Sequence, residues 1–350
     1  MSAVLRTPFV RAEGDSFALG YQHGKARAAD LRAFLDDGLC RLNRILPEPV
    51  SLPQLRPTID AYLAEITAAT PDLAEEIRGL AAGAAIDPYE AALLQLRREI
   101  LGYQKIPTAG DCTTYALAGA EPVLAQTVDL NGNLDDQISV LEIARAGTSR
   151  RVLVLSFGGL LGYLGLNSDG LAVGLNLVLG GEWHPGVPPY LAIRHLLDNA
   201  GSVEEAVRVL RKLPLASSRN IVLCDKDTAA YVEVLDSDFR VEYGLNTVHT
   251  NHFLHPDLAP RDEINVFARN SSVRRLEQCR TRLATVPADP EDHFAVLSAP
   301  PINVTDNGDI RRERTVAAVV LCPSRGRLHL RPGDPAVHAT EIFTLSQEQR

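Results

Sequence analysis

The chain has 350 residues, 45% hydrophobic and 23% charged, which places it among ordinary globular proteins able to bury a sizeable core. A formal charge of −9 leaves no basic field for nucleic-acid phosphates, and no run of about 18 apolar residues is available to span a membrane. The five cysteines (Cys40, Cys112, Cys224, Cys279 and Cys322) include no CxxC pair, which excludes an obvious disulfide framework or zinc site and suits a reducing cytoplasm.

The first ten residues lack the apolar core and cleavage site of a signal peptide, so a cytoplasmic protein is expected. The first hundred residues then read as helical. Asp15-Ser16 can cap a helix over Phe17 to Leu35, where Gly20 and Gly24 flank His23 and suit close packing of a neighbour. Leu46 to Pro57 carries four prolines and reads as a loop. Helices are expected over Ile59 to Ala69, Pro71 to Ala84 and Pro88 to Tyr103.

From Tyr115 the texture changes to short apolar runs between turn residues. Strands are expected over Val123 to Val128, Val140 to Ala144, Val152 to Phe157, Tyr163 to Asn167 and Leu171 to Val178, with Asn167-Ser168-Asp169-Gly170 as a hairpin turn. Helices follow over Tyr190 to Leu197 and Val203 to Lys212, the second opened by the capping box Ser202-Val203-Glu204-Glu205. Strands resume at Ile221 to Cys224, Ala230 to Leu235, Phe239 to Tyr243 and Val248 onward. A polar stretch from Pro256 to Asn270 precedes a helix over Val273 to Leu283. Thr315 to Leu321, Arg327 to Leu330 and Ile342 to Leu345 read as closing strands. Helices, strands, helices and strands again make an α+β layered fold.

The junction between the two textures is Ala109-Gly110-Asp111-Cys112-Thr113-Thr114-Tyr115. A cysteine there is either a small buried hydrophobe or, if a base takes its proton, a nucleophile. No G-x-S-x-G, H-E-x-x-H, phosphate-binding loop or G-x-G-x-x-G competes for the chemistry. Polar residues stand at strand ends: Asp129 after Gln126-Thr127-Val128, Asn176 in Gly174-Leu175-Asn176-Leu177, and Asn251 in His249-Thr250-Asn251-His252. Asp129 could orient a nucleophile, and Asn251 could donate to an oxyanion. Equally, Asp and Asn favour loops at strand ends. Trp183, the only tryptophan, either walls a pocket or packs at the surface.

Taken in order, Gly20 to Gly24, Glu76 to Ala84, Cys112-Thr113-Thr114, Gln126 to Asp129, Gly165 to Val173, Gly186-Val187-Pro188, Arg194 and His249 to His252 resemble the acyl-coenzyme A:6-aminopenicillanic acid acyltransferase family. Its members are N-terminal-nucleophile (Ntn) hydrolases with a cysteine nucleophile. The resemblance implies a four-layer αββα sandwich with a helical N-terminal segment. It also implies a precursor that cuts itself between Asp111 and Cys112. Residues 1–111 would become an α chain and 112–350 a β chain, together one structural domain. Cys112 would be nucleophile and, through its new amine, base; Asp129 would orient the amine, and Asn251 would line the oxyanion hole. Thr113, Asn176, Trp183 and Arg194 are the substrate-pocket candidates.

The expected reaction is cleavage of the amide of a small N-acylated compound through a Cys112 thioester. Acyl transfer from an amide or acyl-CoA to an amine is the alternative, and a catalytically silent binding protein is the rival of another class. No cofactor, metal, nucleic acid or membrane partner is expected; homo-oligomerisation is left open. The chain departs from the family at Asp111, where Gly is frequent, at Leu235, where a processing serine is missing, and over Ile302 to Thr305.

Overall fold

The computed structural model describes residues 6–103, 112–285 and 289–346. A strand, β1 (Phe9–Gly14), precedes helices α1 (Ser16–Asp36), α2 (Leu42–Ile45), α3 (Leu52–Ala69), α4 (Pro71–Ala84) and α5 (Pro88–Leu101). Strands then dominate: β2 (Cys112–Leu117), β3 (Val123–Leu130), β4 (Ile138–Arg145), β5 (Arg151–Phe157), β6 (Leu164–Asn167) and β7 (Ala172–Asn176). After α6 (Pro189–Asn199) and α7 (Val203–Leu210) come β8 (Arg219–Cys224), β9 (Ala229–Leu235), β10 (Asp238–Gly244) and β11 (Asn246–His249). The chain closes with α8 (Val266–Leu283), α9 (Pro290–Leu297), β12 (Arg314–Cys322), β13 (Arg327–Pro332) and β14 (Glu341–Thr344).

The strands form two sheets, one ordered β1-β4-β5-β6-β7-β8-β9-β10 and one ordered β11-β2-β3-β12-β13-β14. They face each other through β2 and β3 on one side and β7 and β8 on the other. Gly174 makes the close approach, since a Cβ there would run into Gln126 and Leu124. Two side chains cross the gap to the β7 backbone: Gln126 Oε1 accepts from Leu175 N at 3.0 Å, and Thr114 Oγ1 donates to Leu175 O at 3.4 Å. Helices α6 and α7 cover the larger sheet, α8 and α9 the smaller, so the layers run αββα. Both faces of the central strands are buried, which is why they read as unbroken apolar runs.

In the N-terminal third, α1 lies against α4. Gly20 and Gly24 face the backbone of Glu76 to Ala84, while Gly79 and Gly83 face that of Phe17 to Lys25. Any Cβ at these positions would collide with the opposite main chain. His23, between the first two, is buried in this contact with neither ring nitrogen hydrogen-bonded. The proline-rich stretch is not all loop. Ser51 and Gln54 form a capping box that starts α3 at Leu52; Pro53 fits the first turn, and Pro57 forfeits only one bond further in. Helix α8 begins at Val266, seven residues before the expected start, capped by Asn265, whose side chain accepts from Phe267 N and Ala268 N. Val266 and Phe267 at its start are exposed, so no apolar stripe announces it. Strand β1 and helix α9 were also not expected from the sequence.

Candidate active site

Cys112 opens β2, and its register with β3 sets Cys112 opposite Val128. Asp129 therefore stands one step beyond that pair; Asp111 lies outside the described residues. On its other edge β2 pairs with β11, His249 opposite Thr114. Two residues beyond that pair, Asn251 arrives level with Cys112. Strand pairing thus gathers three residues far apart in sequence.

The main chain of Cys112 is held by buried side chains. Its N–H donates to Asn251 Oδ1 at 3.1 Å. Its carbonyl accepts from Arg275 Nη1 at 2.6 Å and from Asn176 Nδ2 at 3.3 Å. Arg275 also donates through Nη2 to Asn251 Oδ1 at 2.7 Å and through Nη1 to Thr113 Oγ1 at 3.0 Å. Asn176 is in turn oriented by Asn220, whose Nδ2 donates to its Oδ1 at 3.0 Å. Asn251 Nδ2 donates to Leu177 O at 2.9 Å. Every side chain in this group is buried.

A second tier fixes the segment that carries Asn251. Its backbone N–H donates to Ser272 Oγ on α8 at 2.8 Å. Next to it, His249 and Glu233 form a fully buried pair, Nε2 to Oε1 at 2.8 Å. Burial pushes the Glu233 carboxyl up, but the bond and charge of His249 and the N–H groups of Leu254 and His255 outweigh it and hold it below the usual range. Asp129 is fixed differently: its Oδ1 accepts from Thr315 Oγ1 at 2.7 Å.

The Cys112 side chain is 1% exposed. Its Sγ lies 3.9 Å from the Tyr163 hydroxyl. Tyr163 stacks on Tyr190 with centroids 5.0 Å apart and meets Phe157 edge-on at 5.1 Å. These three rings belong to the wall of a cavity completed by Phe34 of α1, Leu94 of α5 and Leu130 at the end of β3. The nucleophile candidate therefore adjoins an aromatic cavity built from both halves of the chain.

The other pocket candidates divide. Asn176 reaches Cys112, as described above. Thr113 shares its strand with Cys112, but alternation sends its side chain to the opposite face, toward Arg275 on α8. Trp183 does not line the cavity; it packs on Tyr103 at 5.1 Å and donates to Ser218 Oγ at 3.2 Å. Arg194 does not line it either. Its guanidinium is used on Glu76 at 2.8 Å and Asp198 at 3.1 Å, a buried tie between α6 and α4. Sequence reasoning missed Arg275, Tyr163, Asn220 and Ser272. In a helix as polar as α8 nothing separates Arg275 from its neighbour Arg274; the Ser272–Arg275 spacing of one helical turn is the only local sign. Among the described residues no group of three or more His, Cys, Asp or Glu is placed to hold a metal ion.

A family model described as "Acyl-coenzyme A:6-aminopenicillanic acid acyl-transferase" matches residues 117–336, a span that includes Asp129, Asn176, Asn251 and Arg275 and begins just after Cys112. The acyl-coenzyme A:6-aminopenicillanic-acid-acyltransferase 40 kDa form of Emericella nidulans is 26% identical over 258 residues, 70% of this chain and 69% of that protein. Penicillin V acylase from Agrobacterium tumefaciens superposes with a TM-score of 0.49 at 17% identity, over 67% of this chain and 86% of that one. For a conjugated bile acid hydrolase from Clostridium perfringens the values are 0.44 and 13%, over 68% and 99%.

Proposed function

Since the chain belongs to the acyl-coenzyme A:6-aminopenicillanic acid acyl-transferase family, we propose that it is a self-processing cysteine Ntn enzyme that cleaves the amide of a small N-acylated compound through a thioester on Cys112. One observation carries this reading. Buried side chains of Asn251, Arg275 and Asn176 converge on the main-chain N and O of a single residue. Burying a guanidinium and two amides is costly unless each is satisfied, and an ordinary strand residue needs no such apparatus. A residue whose backbone nitrogen becomes a reacting group does.

Scission before Cys112 would convert that nitrogen to an α-amine with an ordinary pKa of about 7.7–8.0, able to take the thiol proton. The thiolate then attacks the substrate carbonyl. Asn251 Nδ2, held by its bond to Leu177 O, is the candidate oxyanion donor. Collapse of the adduct breaks the C–N bond, and the departing amine takes the proton held by the α-ammonium. Water attacking the thioester completes hydrolysis, whereas an amine completes transfer, with acyl-CoA an alternative acyl donor. Arg275 and Asp129 would act on the α-amine in opposite senses: the guanidinium disfavours its protonated form, the carboxylate favours it.

Residues 1–111 and 112–350 would be the two chains of one domain. Strand β1 supports this, since it pairs in parallel with β4 inside the larger sheet. A cytoplasmic site fits the five cysteines, all free thiols. No helix among the described residues is long and apolar enough to cross a membrane.

Intact mass and N-terminal sequencing test the reading. By residue share of 38.0 kDa, chains of about 12 and about 26 kDa are expected, the larger beginning at Cys112. The Cys112→Ala chain should stay whole. A fully active protein that remains a single chain would overturn the processing step.

A further inference from the structure

The cavity beside Cys112 is apolar over most of its wall but not all of it. Two hydrogen-bond donors among its lining residues, Arg97 Nη2 and Asn131 Nδ2, are buried and have no acceptor. Asn131 is 4% exposed, two residues beyond Asp129. Arg97 is anchored from behind by its Nε, which donates to Cys40 O at 2.9 Å. Its Nη2 lies where a Cβ on Gly132 would stand, next in sequence to Asn131. No carboxylate among the described residues forms an ion pair with Arg97. Burial of this cation lowers its pKa to about 10, which still leaves it charged at neutral pH.

A buried donor without an acceptor is destabilising, and a charged one more so, so these two call for an acceptor atom on a ligand. The sign of that ligand follows from Arg97, a buried cation of the lining with no carboxylate partner among the described residues. The cavity, of about 550 Å³, has room for an acyl group. The acyl group is the part that stays on Cys112 while the amine leaves and the second nucleophile enters, so the enclosed side of the site belongs to it.

We propose that Arg97 and Asn131 form a carboxylate subsite, and that the enzyme prefers acyl groups whose far end is a carboxylate, such as a glutaryl group. This specificity rests on the amide-cleaving reading above, but the subsite can be tested without turnover. N-glutaryl-4-nitroanilide and N-pentanoyl-4-nitroanilide have the same chain length and differ at the far end. Calorimetric titration into full-length Cys112→Ala protein should give at least tenfold tighter binding of the glutaryl compound. Asn131→Asp in that background should abolish or reverse the preference, and Arg97→Gln should reduce it. Because Arg97 also holds Cys40 O, the Asn131 variant serves as the independent check. Equal binding of the two anilides, or a preference untouched by Asn131→Asp, overturns the subsite. Tighter binding of N-pentanoyl-glycine than of the glutaryl compound also overturns it, because the carboxylate would then belong to the amine side. Release of nitroaniline by processed wild type decides the underlying reaction separately. Turnover of both anilides at equal kcat/KM would leave amide cleavage standing while the carboxylate specificity fell.

Discussion

At Cys112 the decisive feature is that main-chain atoms, and not only the thiol, are gripped by buried polar side chains. Asn251 is tied through Oδ1 to the Cys112 nitrogen and to Arg275, so its amide is held before any substrate arrives. Losing a preorganised oxyanion donor typically costs about 10²–10³ in kcat. Asn251→Ala, confirmed as folded and cleaved, is expected to lose that much kcat with little change in KM. Near-normal kcat would return Asn251 to a purely structural role. If scission frees Cys112 as an N-terminus, Asp129 and Arg275 give a paired expectation for kcat/KM against pH, whose rising limb would belong to the coupled amine and thiol. Asp129→Asn removes a charge that favours the ammonium and should move the limb to lower pH. Arg275→Gln removes one that disfavours it and should move the limb to higher pH. Shifts of the same sign, or none, would remove both residues from the amine's surroundings.

At the scale of elements, the N-terminal third is bound to the rest by structure that self-cleavage would leave intact. The four glycines let α1 and α4 meet backbone to backbone. Helix α4 is then joined to α6 by the fully buried Arg194–Glu76 pair, with Nη1–Oε1 at 2.8 Å and Nη2–Oε2 at 3.0 Å. Removing one partner of a buried pair costs about 3–5 kcal/mol, because the other charge stays buried alone. Glu76→Gln should therefore lower the denaturation midpoint and, in cleaved protein, promote separation of the two chains. Size-exclusion chromatography with mass analysis of the peak checks this; undiminished stability would mean that Asp198 alone compensates Arg194.

For the whole molecule, buried histidines set an acid limit. Burial is the leading cause that lowers His23 to about 3 and His252 and His293 to about 4 each. The unfolded chain takes up these protons below about pH 6.5, whereas the native state resists until far lower. The stability they contribute is thus complete above pH 6.5 and is lost as pH falls toward 4. Burial pushes the Glu76 and Glu99 carboxyls up, which works in the opposite direction over part of that range. A single substitution separates the two: His23→Leu should flatten the fall in Tm between pH 6.5 and 4. An unchanged slope would show that His23 already titrates normally in the folded state.

What the sequence determined by itself is what local chemistry controls. Capping residues and apolar runs located α1, α4, α5, α7 and most strands, and the ordered short motifs carried the family, because both are written in contiguous residues. Elements without such marks escaped: the exposed start of α8, the short β1, and the first turns of α3 among its prolines, before the expected Ile59 start. The candidate site was legible only where strand ends carried Cys112, Asp129, Asn176 and Asn251. Tertiary structure alone decided the rest. Strand pairing brought Asn251 level with Cys112 and Asp129 one step beyond, sheet packing brought Asn176 to the Cys112 carbonyl, and strand alternation turned Thr113 away from the cavity. Arg194 went into an interhelical ion pair, while Arg275 of α8 came to rest on the Cys112 carbonyl. An arginine's role depends on which charge or carbonyl the folded chain sets before it. No spacing along the sequence encodes that.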